Sequence, residues 1–133
     1  CLSRGLGDVY KRQILGKPRD AAEAFSMLSA LSGNTHRVYT GLAVMDAAAG
    51  RAAVEFEATE VRFRALSEAE IRAYIRSGEP MDKAGAYGIQ ELGALFVEGI
   101  AGDYFNVVGL PLCRLGKILK EDFAVDLLAA KRA

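Results

Sequence analysis

THRVYTGLAVMDAAAGRAAVEFEATEVRF, residues 35–63, places β-branched and aromatic residues on both sides of the small-residue run AAAG at 47–50. That arrangement reads as two strands joined in a β-hairpin. In the second strand Val54, Phe56 and Ala58 share one face, whereas Val61 and Phe63 have the opposite parity. A bulge near Thr59 or Glu60 would bring them onto one side.

Helices flank this hairpin. Upstream, Asp20 can cap a helix over 20–31, with Ala24, Phe25, Leu28 and Leu31 at helical spacing and Gly33 just past its end. Downstream, Ser67 and Glu70 form a capping-box pattern before Ile71, Tyr74 and Ile75, and Gly78 follows. ALFVEGI (94–100) reads as a strand. NVVGLPLCRLGKILKE (106–121) reads as a helix, with Asn106 as its cap and Gly109 and Pro111 shaping its start. The expected class is α/β, a mixed sheet flanked by helices.

With 51% hydrophobic residues and seventeen basic against seventeen acidic side chains, 133 residues suffice for one buried core. The balance supplies no field to attract nucleic acid or an anionic membrane. Neither a membrane-spanning run nor a signal-peptide pattern is present, and Cys1 and Cys113 have neither disulfide-framework nor metal-ligand spacing. A cytoplasmic location is the expectation.

Half of the fourteen glycines fall within 78–111. Gly85 and Gly88 bracket AGAYG just after Asp82 and Lys83, where glycine would let backbone N–H groups approach a phosphate or base. The plainer reading is that they mark turns, for the pattern is neither a P-loop nor a dinucleotide fingerprint.

GKP at 16–18, LSGNTHRVYTG at 31–41, SGEPMDKAGAYGIQ at 77–90 and GDYFNVVGLPL at 102–112 stand in that order. This series resembles the Maf family of nucleoside triphosphate pyrophosphatases from residue 14 to about 120. The resemblance implies a fold similar to inosine triphosphate pyrophosphatases and a cleft beside the sheet. It also implies a divalent metal, magnesium or manganese, and hydrolysis of a nucleoside triphosphate to monophosphate and pyrophosphate. Lys17 and Lys83 match family lysines and are the implied phosphate clamps, a task that suits a compact charge on a long stem. Gln90 matches the glutamine that reads the base in the branch acting on dTTP and UTP. An amide donates and accepts at once, as the imide edge of thymine or uracil requires, although it would also tie loop backbone.

Asp82 fits three tasks: holding Lys83, holding a metal-bound water, or capping the loop. Tyr87 fits packing on the base or on the sheet. Thr35 and His36 occupy a family-like turn, with a structural histidine weighed above a catalytic one; one histidine cannot build a histidine-cluster metal site. The family's serine- and arginine-rich phosphate motif and its Ala-Asp-Thr segment do not occur in 1–13. Asp8 is the one carboxylate there, and no apolar strand is read around it, so the family aspartate's role is not transferred. The expectation is therefore a poorly ordered, non-family head (1–13), a partial family domain lacking its N-terminal part (14–121) and a tail (122–133). An exposed apolar patch would follow, which a homodimer would cover. A non-catalytic remnant or interaction module with weak nucleotide binding is the alternative function.

Overall fold

The computed structural model describes residues 2–11 and 13–129, with side chains from residue 10 onward in those ranges. Its centre is the hairpin of β3 (Thr35–Asp46) and β4 (Arg51–Phe63). β1 (Leu2–Tyr10), β2 (Gln13–Leu15) and β5 (Val97–Ala101) complete a sheet of order β2-β1-β3-β4-β5. Every pairing is antiparallel, which corrects the mixed sheet expected from the alternation of elements. A short turn joins β3 to β4, and Tyr10 at the end of β1 pairs with Gln13 at the start of β2; connections this short impose antiparallel neighbours. Helices flank the sheet as expected.

The register of β3 on β4 is unbroken from Thr35 opposite Arg62 to Asp46 opposite Arg51, so no bulge interrupts it at Thr59 or Glu60. The parity change in the sequence marks a change of environment instead. Thr59, Val61 and Phe63 are buried, whereas Val54 and Phe56 lie on the opposite face, 77% and 63% exposed. A register shift does occur at Arg62/Phe63, on the side facing β5.

The four α-helices of the described residues cover one face of the sheet. α1 (Ala21–Leu31) and α2 (Glu68–Arg76) start and stop where their caps predict: Asp20 and Ser67 accept from Glu23 N and Glu70 N, and the Ser67–Glu70 capping box closes reciprocally. They pack Leu28, Leu31, Ile71 and Tyr74 against Val38, Val61 and Phe63 to form the larger core. α4 (Leu112–Phe123) packs Ile118 on Leu42 and Val44 in a smaller one.

The single helix expected over 106–121 is two. α3 (Tyr104–Val108) stops at Gly109, whose φ of 141° continues no helix, and Pro111, lacking an N–H, precedes α4. The cap of α3 is Asp103, accepting from Phe105 N at 2.8 Å, and not Asn106. Asn106 lies inside α3, fully buried, and its amide donates to Val38 O at 3.0 Å, Glu57 O at 3.3 Å and Thr59 Oγ1 at 3.0 Å. The strand expected at 94–100 begins later, after a 3₁₀ turn at Leu92–Phe96.

The sequence reading leaves 1–13 outside the fold, yet the backbone of β1 pairs with β3 from Leu2–Val44 to Val9–Arg37. Gly5 and Gly7 carry no side chains, so they hide the period that marks a strand. Asp8 sits in this strand, paired with Val38 and Leu15, while its carboxyl lies outside the described side chains, as do Cys1 and Arg12 altogether. Toward the other end, α4 runs on to Phe123, past the expected boundary at 121, and Ala124 ends it at a φ of 55°. No described helix is long and apolar enough to cross a membrane.

Candidate functional site

Lys17, Asp82, Lys83 and Gln90 line one cavity of about 310 Å³, with Val38 of β3 and Val107 of α3 on its apolar side. Lys17 follows β2, Asp82 ends a 3₁₀ turn at Glu79–Asp82, and Gln90 lies in the glycine-rich loop beyond. One hydrogen bond, Gly85 N to Gly16 O at 3.1 Å, ties the lysine segments together.

The loop turns by consecutive left-handed residues, Gly85 at φ 73° and Ala86 at φ 64°. For glycine this costs little; for buried Ala86 it stores about 1–2 kcal/mol of strain. The turn delivers Tyr87 to the core. There its hydroxyl meets His36 Nε2 at 2.8 Å, and its ring packs edge-to-face on Phe63 and His36. Tyr87 also borders the cavity.

Lys83 Nζ reaches Asp82 Oδ1 at 3.2 Å and Glu91 Oε1 at 3.6 Å. The hydrogen bond to Asp82, with the charge of both carboxylates, raises its pKa, so it is cationic throughout the physiological range. Of the tasks open to Asp82, this geometry realises the holding of Lys83. Gly88 makes room for the lysine stem, because a Cβ there would stand 2.9 Å from Lys83 Cε.

Of the other predicted residues Gly88 lines the cavity, whereas Thr35, His36 and Gly85 do not. Thr35 is exposed at the start of β3. His36 is 2% exposed, and burial pushes its pKa down to about 4, so it is a neutral core residue. The N–H groups of Gly85 and Gly88 are donated internally, to Gly16 O and to Tyr74 Oη, and are thereby taken from a ligand. These glycines shape the loop. Among the described residues no three His, Cys, Asp or Glu side chains converge as a metal site. The nearest donor set in the cavity is the pair Asp82 and Glu91, and two carboxylates suit a magnesium ion that takes its remaining ligands from waters and phosphates.

Sequence reasoning missed Glu79. Its Oε1 accepts from Tyr74 Oη at 2.5 Å and Gly93 N at 3.0 Å, and its Oε2 accepts from Leu92 N at 3.0 Å. Gly93 is required by the same contact: a Cβ there would overlap Gly88 O and stand 2.9 Å from Tyr74 Oη. The one local signal was a glutamate directly after the glycine that ends a helix.

The sequence model of the Maf-like protein family matches residues 7–122, so the match begins inside the head that sequence reading set apart. The chain is similar to the dTTP/UTP pyrophosphatase of Alkaliphilus oremlandii (strain OhILAs), 57% identical over 120 residues, 90% of this chain and 62% of that protein. It is 49% identical to the dTTP/UTP pyrophosphatase of Alkaliphilus metalliredigens (strain QYMF), with the same shares covered. It is 53% identical over 116 residues to that of Clostridium perfringens (strain 13 / Type A), 87% of this chain and 60% of that protein. The chain spans about three fifths of the length of the curated relatives it matches.

Proposed function

Since the chain belongs to the Maf-like protein family, we propose that its cleft binds the triphosphate of dTTP or UTP and serves hydrolysis to nucleoside monophosphate and pyrophosphate. One observation carries the reading. Lys17, Lys83 and Gln90, spread over more than seventy positions, line a single cavity. The relatives' names point to the same substrates.

In this reading water adds across the bridge between the α- and β-phosphorus atoms, and pyrophosphate leaves. Lys17 and Lys83 neutralise the phosphate oxygens, whose charge grows as the bond breaks. Lys83 arrives already oriented by Asp82 and Glu91. A divalent cation held with the phosphates would share those two carboxylates with the Lys83 ammonium, and it would supply further charge neutralisation. Gln90 pairs with the imide edge of the base, and Val38 and Val107 give the cleft its apolar wall.

A pyrophosphate-release assay with magnesium tests this. The chain should hydrolyse dTTP and UTP, and Lys83→Ala should lower kcat/KM about a hundredfold for every nucleotide, because it meets only the shared phosphates. Gln90→Ala should cost about 1–3 kcal/mol with dTTP and UTP and less with ATP or GTP. No release above buffer overturns the reading; an equal loss on all nucleotides reassigns Gln90 to loop support.

A second reading, an interaction module, rests on the outer sheet face, where Val54, Phe56 and Met45 are all more than half exposed. Light scattering decides it, since a homodimer through this face should dissociate on Phe56→Glu.

A further inference from the structure

We propose that Glu79 is a positioning residue that sets nucleotide affinity by clamping both ends of the loop that carries every polar side chain of the cleft named above except Lys17; this rests on the nucleotide reading above. The stretch 79–93 contains Asp82, Lys83, Gln90 and Glu91, all of which line the cavity. Glu79 stands at its first position and takes the backbone N–H groups of Leu92 and Gly93 at its last two.

A third strap runs through α2. Gly88 N donates to Tyr74 Oη at 3.0 Å, and the same hydroxyl donates to Glu79 Oε1. Burial and the neighbouring carboxylate raise the Tyr74 pKa, so the phenol keeps its proton and remains a donor. The carboxylate thus gathers three charge-assisted bonds, and each fixes a different point of the loop. Lys83 also reaches toward the far end of the stretch, but its partner there is the Glu91 side chain and not the backbone. Lys83's stem lies against Gly88, so the strap on Gly88 also sets where the ammonium stands.

Glu79 does not itself line the cavity. It acts through Lys83 and Gln90, and its removal leaves both side chains intact but frees the backbone that aims them. Ordering that loop then falls on the nucleotide, which weakens binding without removing a single contact.

The experiment is titration of the chain with α,β-methylene-dTTP and magnesium, run well below each variant's Tm and paired with amide hydrogen exchange. Glu79→Ala should raise the Kd about tenfold and speed exchange at Gly88, Leu92 and Gly93, while amides of α2 stay protected. Glu79→Gln, which keeps one acceptor oxygen, should fall between Ala and the parent. Tyr74→Phe should release Gly88 alone and raise the Kd about threefold. If the parent binds the analogue and Glu79→Ala binds it equally well, Glu79 is a stability staple and the inference is overturned alone. If the parent does not bind, the nucleotide reading fails and takes the inference with it. Should Glu79→Ala not fold, Glu79→Gln and Tyr74→Phe decide by the same two measurements.

Discussion

At its open end the β3–β4 hairpin is packed by an aromatic group: Phe63 meets Tyr87 at 4.7 Å and His36 at 5.1 Å between ring centroids, and Tyr74 meets Phe96 at 4.8 Å. At its turn end Leu42 and Val44 rest on Ile118 of α4 with partly buried Leu110 beside it, and the reverse face shows Val54 and Phe56 to solvent. One pair of strands therefore has a rigid end and a lightly covered end. The cavity borders the rigid one, where Tyr87 and Val38 serve both core and site. Binding geometry of this kind needs side chains locked by packing behind them.

The contrast is most easily broken at Phe63. Phe63→Ala should cost about 3–5 kcal/mol in urea unfolding, and Leu42→Ala, in the smaller core, nearer 2 kcal/mol. If Leu42→Ala costs as much as Phe63→Ala, the two ends of the hairpin are equally well packed.

His36 sharpens the comparison through pH. Its folded pKa of about 4 lies below the ordinary 6.5. As pH falls, the unfolded chain takes up the proton first, so the stability from a neutral His36 is complete above about pH 6.5 and lost as pH drops toward 4. The loss is of order 3 kcal/mol over that window. Urea unfolding at pH 7 and pH 4.5 measures it, and His36→Gln should show a distinctly smaller difference between the two.

The smallest effect belongs to the outer face. Phe56→Ser should change stability by no more than about 0.5 kcal/mol, since that residue is 63% exposed and its aromatic neighbour Tyr39 stands 6.1 Å away between centroids. A loss above 2 kcal/mol in dilute monomer would show the face to be a third core.

What the sequence disclosed was local. Caps at Asp20 and Ser67 lie within one turn of the groups they bind, and the hairpin announces itself by composition around AAAG. What it hid was non-local or had no side chain to read. Glu79 meets backbone N–H groups thirteen and fourteen residues away, and a backbone partner leaves no mark in the sequence. Asn106 was misread because an amide before an apolar run looks the same whether it caps its own helix or crosses to Val38 and Glu57. The glycines of β1 hide its period, and the parity of β4 reads as a bulge because nothing local says which strand carries the exposed apolar face. For the site, motif resemblance named Lys17, Lys83 and Gln90, and the structure brings them to one cavity; Thr35 and His36, named by the same resemblance, it leaves outside that cavity.

Gly93 carries a lesson for anyone wishing to redesign the loop. With Gly88's carbonyl oxygen and the Tyr74 hydroxyl occupying the space a side chain would need, position 93 is closed to every other amino acid unless its neighbours move. Residues 74, 79, 88 and 93 are therefore coupled, and a change at one bears on the other three. A library that randomises 89–92 should hold those four fixed, and a graft that carries Gln90 into another scaffold without them would leave behind the contacts that hold its loop.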